Sequence, residues 1–210
     1  MTPALLLRSN LKGHIFMFFT PNFLPCIAYF QEILTQDKIR INSEDVYVKQ
    51  TYRNKTQILG ANKVESLTIP VHASSMKTPS RDVKIDNKTP WQRNQLRTLE
   101  AAYLKSPFYQ FYDYIFEPLF KKKFNFLIDL QLESLTVCLR CLQLEKTVCQ
   151  EPHSKEIGLV DLKSKVLPAG YTFKPYLQNF GNEFVPNLSI MDLLFCKGPE
   201  AIIYLRKSEQ

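Results

Sequence analysis

The sequence predicts an α/β protein, with α+β as the alternative. An N-terminal mixed β-sheet with a β-α-β opening and a hairpin is followed by a predominantly helical C-terminal half. Three observations carry this expectation. A strand–loop–helix–strand pattern opens the chain. A hairpin signal, Gly60-Ala61-Asn62-Lys63, lies between two short apolar runs. From Thr89-Pro90 onward the apolar period changes from two residues to three or four.

His14 to Phe19 reads as a buried strand, short, apolar and ended by Thr20-Pro21-Asn22. Pro21 and Pro25 each disfavour helix in the residue before them, so an extended loop follows. From Cys26, Ile27, Phe30, Ile33 and Leu34 recur at helical spacing to about Gln36, and Lys38 to Asn42 is a second strand. This β-α-β order implies a parallel pair. Gln57-Ile58-Leu59 and Ser66 to Val71 form the arms of the hairpin, and a short strand is expected over Asp82 to Asp86.

Thr89 is a fair N-cap with Pro90 at the first helical position, opening a helix from Trp91 to about Lys105. Ser106-Pro107 starts a second helix with Phe108, Phe111, Tyr112, Ile115 and Phe116 on one stripe, interrupted at Pro118. A stripe at this spacing reads as core. Lys121-Lys122-Lys123, read as a solvated turn, precedes the most apolar helix, Phe124 to about Leu144. After Cys149 the chain reads as irregular. Leu188 to Phe195 resumes a helical pattern, and Gly198-Pro199 marks a stop and restart before a last helix to about Arg206.

The 210 residues suit one domain, with residues 1–13 as a possible N-terminal extension. Fifteen Phe and ten Tyr make an aromatic core and argue against disorder. A net charge of +7 favours anionic partners, from nucleotides to an anionic membrane surface, and equally suits simple solubility. The order of Met1 to Arg8, apolar before basic, does not fit a signal peptide, and no run approaches the length of a membrane span. The expected location is cytoplasmic. Cys138-Leu-Arg-Cys141 has redox-pair spacing, but it sits in an apolar helical run with no second pair, so all five cysteines read as reduced core residues. The sequence implies neither a metal nor a cofactor.

Chemistry is expected at strand ends and helix starts. The polar run Lys49-Gln50-Thr51-Tyr52-Arg53-Asn54-Lys55 is either a solvated edge or the lining of a site that meets an anion. Lys49 and Arg53 are spaced to share one side of a strand, where Arg would supply a planar fork and Lys a point charge beside Tyr52 and Asn54. Glu44 and Asp45 follow the second strand, where an α/β sheet exposes its ligand crevice, and either carboxylate is a candidate base or a plain exposed acid. Glu100 and Tyr103 lie one turn apart. Asn187 and Ser189 suit a helix N-terminus, and Asp192 on an apolar segment needs a partner if buried. The three histidines lie far apart; His72, at a strand end, is the best placed.

Lys49-Gln50-Thr51-Tyr52-Arg53-Asn54, Asp86-Asn87 through Pro90-Trp91-Gln92, Leu99-Glu100-Ala101-Ala102-Tyr103 and Phe184 through Phe195 together resemble the WbqC-like family, in the form of its Bacteroidetes-type members. Pro21 to Phe30 is similar to that family's proline-bearing first loop and helix. The resemblance runs from about His14 to Tyr204. It implies a role in bacterial surface-polysaccharide, O-antigen or lipopolysaccharide biosynthesis. Where members carry His or Gln before the first proline, and some a His near the end of the second strand, this chain has Thr20 and Glu44.

The expected function is therefore a group-transfer enzyme of polysaccharide precursor assembly, a transferase using a nucleotide sugar or an activated acyl or aminoacyl donor. Glu44, Asp45, Glu100 and Asp192 are the catalytic candidates. Lys49, Gln50, Tyr52, Arg53, Asn54, Trp91, Tyr103 and Asn187 are the binding candidates. The alternative is a non-catalytic protein that binds RNA or a partner of the polysaccharide machinery through its basic face.

Overall fold

The computed structural model describes residues 17–72, 78–152, 158–161 and 170–206. Expectations that fall on His14, on His153 or on residues 1–13 lie outside these. The opening pattern folds as β1 (Met17–Phe19), α1 (Ile27–Ile33) and β2 (Lys38–Ile41), and β1 and β2 pair in parallel. Alternation explains β2, which buries Ile39 and Ile41 and turns Lys38 and Arg40 outward.

The hairpin is present as β3 (Lys55–Leu59) and β4 (Val64–Thr68), antiparallel and in a sheet of its own. The α/β class holds, but parallel and antiparallel strands form two sheets instead of one mixed sheet. The strand expected over 82–86 is absent. In its place, a 3-10 turn at Ser80–Asp82 leads to two isolated bridges, Val71 with Ile85 and Lys84 with Phe126. Among the described residues no partner strand runs alongside long enough to extend them.

Three helices follow: α2 (Trp91–Tyr103), α3 (Tyr109–Lys121) and α4 (Leu127–Cys141). Thr89 does not cap α2; its hydroxyl turns back toward the Asp86 carbonyl at 3.5 Å, and Pro90 occupies the N-cap position. Pro118 lies inside α3 without breaking it. A proline lacks the N–H for the preceding turn and crowds that turn's carbonyl, and Pro118 is on the exposed face, where the backbone can yield toward solvent. Helix α4 is the central one, with Leu130, Ser134 and Cys138 fully buried.

The region read as irregular after Cys149 contains two further strands, β5 (Thr147–Gln150) and β6 (Gly158–Val160). They complete the main sheet in the order β5-β2-β1-β6, every pair parallel. Both are short and stay in register with longer-range partners, so no local period announces them. The chain closes with α5 (Ile190–Lys197), a 3-10 turn at Gly198–Glu200, and α6 (Ala201–Leu205). At Gly198 the backbone takes φ +54°, and any Cβ would collide with the ring of Phe108.

Candidate functional site

Parallel register creates a polar rung at the carboxyl ends of the strands. Phe19 pairs with Ile41 on one side and Val160 on the other, and Ile41 pairs with Gln150. The next residues, Glu151, Asn42, Thr20 and Asp161, therefore come side by side. Backbone bonds hold the rung: Thr20 N to Val160 O at 3.2 Å, Asn42 N to Phe19 O at 2.9 Å and Glu151 N to Ile41 O at 3.1 Å. β1 lies between β2, its successor in the chain, and β6, which arrives last, so the strand order reverses there. Ligands of open α/β sheets bind outside the carboxyl ends at such a reversal.

Arg53 reaches this rung at Asp161, with its side chain 1% exposed. Its Nη2 donates to Asp45 Oδ2, and its Nη1 lies 3.8 Å from Asp161 Oδ1. The two carboxylates are less buried, 26% exposed at Asp45 and 15% at Asp161. Among the described residues, Nε and Nη1 of Arg53 have no hydrogen-bond partner; nor have Asn22 Nδ2, Tyr47 Oη and Ser80 Oγ. Arg53 and burial act on Tyr47 in opposite senses, and burial prevails, pushing its phenol up to about 12. Buried donors left open in this number are costly unless a ligand or water meets them.

Local folding explains why Arg53 is inward. Residues 49–54 form a turn and not a strand, because Gln50 takes φ +59° and Thr51 Oγ1 donates to the Val48 carbonyl at 2.7 Å. Lys49 and Arg53 therefore do not share a side: Lys49 and Gln50 are exposed while Tyr52, Arg53 and Asn54 are buried. Gln131 of α4 clamps the turn to the first loop, its Nε2 donating to Pro21 O at 3.1 Å and to Arg53 O at 2.6 Å. Phe23 N donates to Tyr52 O at 3.0 Å, and Tyr29 Oη of α1 pins the Thr20 carbonyl at 2.8 Å.

Other candidates are dispersed. Glu44 pairs with Arg81 at the exposed surface. Glu100 is exposed on α2, and Trp91 is buried in the core. Asn54 Nδ2 donates to Ile69 O at 3.0 Å, and Tyr52 Oη reaches Gln57 Oε1 at 3.4 Å; these are bonds that shape the hairpin. Asn187 caps a helix, but not its own: Oδ1 accepts from Ala28 N of α1 at 2.9 Å, while Ser189 accepts from Met191 N in α5. His72 is exposed.

Asp192 and Tyr103 meet, as part of a second cluster. Asp192, 0% exposed, accepts from Tyr103 Oη at 2.7 Å, Tyr176 Oη at 2.6 Å and Gln178 Nε2 at 3.1 Å. Tyr103 Oη in turn accepts from Leu59 N at 3.4 Å. Burial raises the Asp192 carboxyl above its ordinary value, and the three donors only partly offset it. Both phenols are raised, by burial first and by the carboxylate second. The cluster joins β3, α2, α5 and the 176–178 segment with every carboxylate oxygen engaged, which describes a structural hub.

Sequence reasoning missed Asp161, Thr20, Asn22, Tyr47 and Ser80 as crevice residues. The one local signal was the apolar run Gly158-Leu159-Val160 ended by Asp161, the same form as the strand-end acids at 44–45.

The fold and crevice define a small α/β protein built on an open parallel sheet with a polar site at its carboxyl edge. The WbqC-like protein family model matches residues 20–167 and 163–204, and the chain belongs to that family. Comparison with curated proteins and with solved structures gives no match.

Proposed function

We propose that the protein is a group-transfer enzyme of surface-polysaccharide precursor assembly whose acceptor sits in the crevice at the carboxyl ends of β1 and β6. The observation that carries this is the buried Arg53 guanidinium between Asp45 and Asp161, with two donors that have no hydrogen-bond partner among the described residues. Its charge is already met, and the three groups together sum to −1. Such a centre repels a bare phosphate and suits a hydroxyl- or amine-bearing sugar, whose lone pairs meet the open donors while its protons face the carboxylates. The donor, a nucleotide sugar or an activated acyl or aminoacyl group, would bring its anionic part toward the exposed Lys49 side of the turn.

In the reaction the acceptor oxygen or nitrogen forms a bond to the donor's electrophilic carbon. The bond to the leaving group breaks and its electron pair leaves with that group. The acceptor proton passes to Asp161 or Asp45, and Arg53 holds the developing charge in place. Titration calorimetry against amino sugars, nucleotide amino sugars and acyl donors tests the reading. Arg53→Lys keeps the charge but loses the fork, and is expected to weaken acceptor binding at least about tenfold. Equal affinity in wild type, Arg53→Lys and Asp161→Asn would exclude the crevice as the site.

A further inference from the structure

Helix α3 carries a feature that the crevice does not use. Phe111, Tyr114, Pro118 and Lys121 follow one another at helical spacing and are all exposed, Phe111 at 65% and Tyr114 at 66%. Together they form one stripe about 15 Å long on the solvent side of the helix. Leu104, 52% exposed, and Lys105 precede α3, while the exposed Lys122 and Lys123 follow it. The opposite side of the same helix buries Phe116, Leu119 and Phe120, while Phe111 meets the ring of Phe108 at 6.1 Å between centres and still leaves most of its own surface in solvent.

We propose that this stripe docks the protein on an anionic lipid surface. Charge complementarity selects that occupant. The stripe is bracketed by Lys105 at one end and the lysine triplet at the other, in a chain of net charge +7. Of the acids on α3, Glu117 is paired with Lys121 at 2.5 Å, and Asp113 is partly buried to one side of the stripe. Lys122 Nζ lies 5.1 Å from the centre of the Phe124 ring, at the foot of the helix. Apolar rings between two basic ends suit a helix lying in a headgroup layer, where rings enter the acyl boundary and ammonium groups stay with the phosphates. Nucleic acid would call for cations interleaved with the rings. Among the described residues no helix is long and apolar enough to cross a membrane, so the contact is a surface one.

The test is co-sedimentation of the full chain with vesicles of equal parts phosphatidylglycerol and phosphatidylcholine, against phosphatidylcholine alone. Partition is expected into the anionic vesicles only, falling as salt rises, by about fivefold for each lysine replaced with glutamine at 122 and 123. Phe111→Ser with Tyr114→Ser should lower partition at least about tenfold with an unchanged melting temperature. Absence of binding at low salt, or binding indifferent to the ring substitutions, overturns the proposal. So does a wild-type dimer that the ring substitutions make monomeric, or single-stranded RNA bound as tightly as the vesicles and lost with the same residues.

Discussion

Asp192 is a carboxyl group at 0% exposure whose partners are two phenols and an amide, with no cation among them. Its folded-state value lies above the ordinary 3.8, because burial outweighs the hydrogen bonds. A raised value means that the folded state holds the proton more tightly than the unfolded one. Asp192 therefore favours folding most below about pH 4, and that contribution is lost as pH rises through the raised value. In paired melts, Asp192→Asn should gain on the wild type as pH rises from about 4, then level off. A flat difference would mean that the carboxyl titrates alike in both states. Tyr103→Phe removes a donor to Asp192 and an acceptor for Leu59 N, and should cost about 1–3 kcal/mol by chemical denaturation. The sequence made Asp192 conspicuous, as an acid in an apolar helix. It could not name Tyr176 or Gln178, which come from a stretch without a period.

At the scale of elements, short helices borrow their ends from each other. Helix α1 has only seven residues and no side-chain cap of its own. Asn187 supplies one from across the fold, while Ile27 N donates to Leu188 O and Ile190 N to Pro25 O, at 3.0 and 2.9 Å. The two N-terminal turns thus satisfy each other's free amides. Gln131 does similar work between α4 and two loops. Gln131→Leu leaves the Pro21 and Arg53 carbonyls without their donor in the interior. It should cost about 2 kcal/mol and free the turn that aims Arg53, seen as faster hydrogen exchange at residues 51–54. Unchanged exchange there would assign the aim of Arg53 to the Asp45 contact instead. Gly198→Ala, which forces a Cβ into Phe108 at φ +54°, should lower the melting temperature by several degrees through the α5–α6 corner.

Across the whole molecule, the five cysteines report on packing. All are free thiols. Cys26, Cys138, Cys141 and Cys196 are buried, and burial pushes them up, to about 11 at Cys26 and Cys141 and about 12 at Cys196. Cys149, on the edge strand β5 beside Glu151, is the one that is partly exposed. Alkylation of the native protein at neutral pH should modify Cys149 alone, slowly, and reach the other four only on unfolding. Early labelling at Cys138 or Cys141 would show that α4 opens locally. The same edge strand matters to the crevice, since β5, β2, β1 and β6 must all be in register for Glu151, Asn42, Thr20 and Asp161 to align.

The sequence by itself determined the parallel opening pair, the hairpin, the order of the helices and the reduced character of the cysteines. These follow from period, turn residues and composition, which act between residues close in the chain. Of the α3 stripe that it read as core, Phe116 is buried but Phe111 is 65% exposed, because the helix turns that edge of the stripe to solvent. The sequence also singled out Asp45 and Arg53 as candidates, an acid past a strand end and an arginine in a polar run, with a plain exposed acid and a solvated edge as the alternatives. Tertiary structure alone decided that Arg53 points inward while Lys49 points out, since one left-handed residue at Gln50 replaces strand alternation with a turn. It alone added β5 and β6, whose three or four residues are held by partners more than a hundred positions away. With them came Asp161, and so a guanidinium set between two carboxylates at the reversal of the sheet.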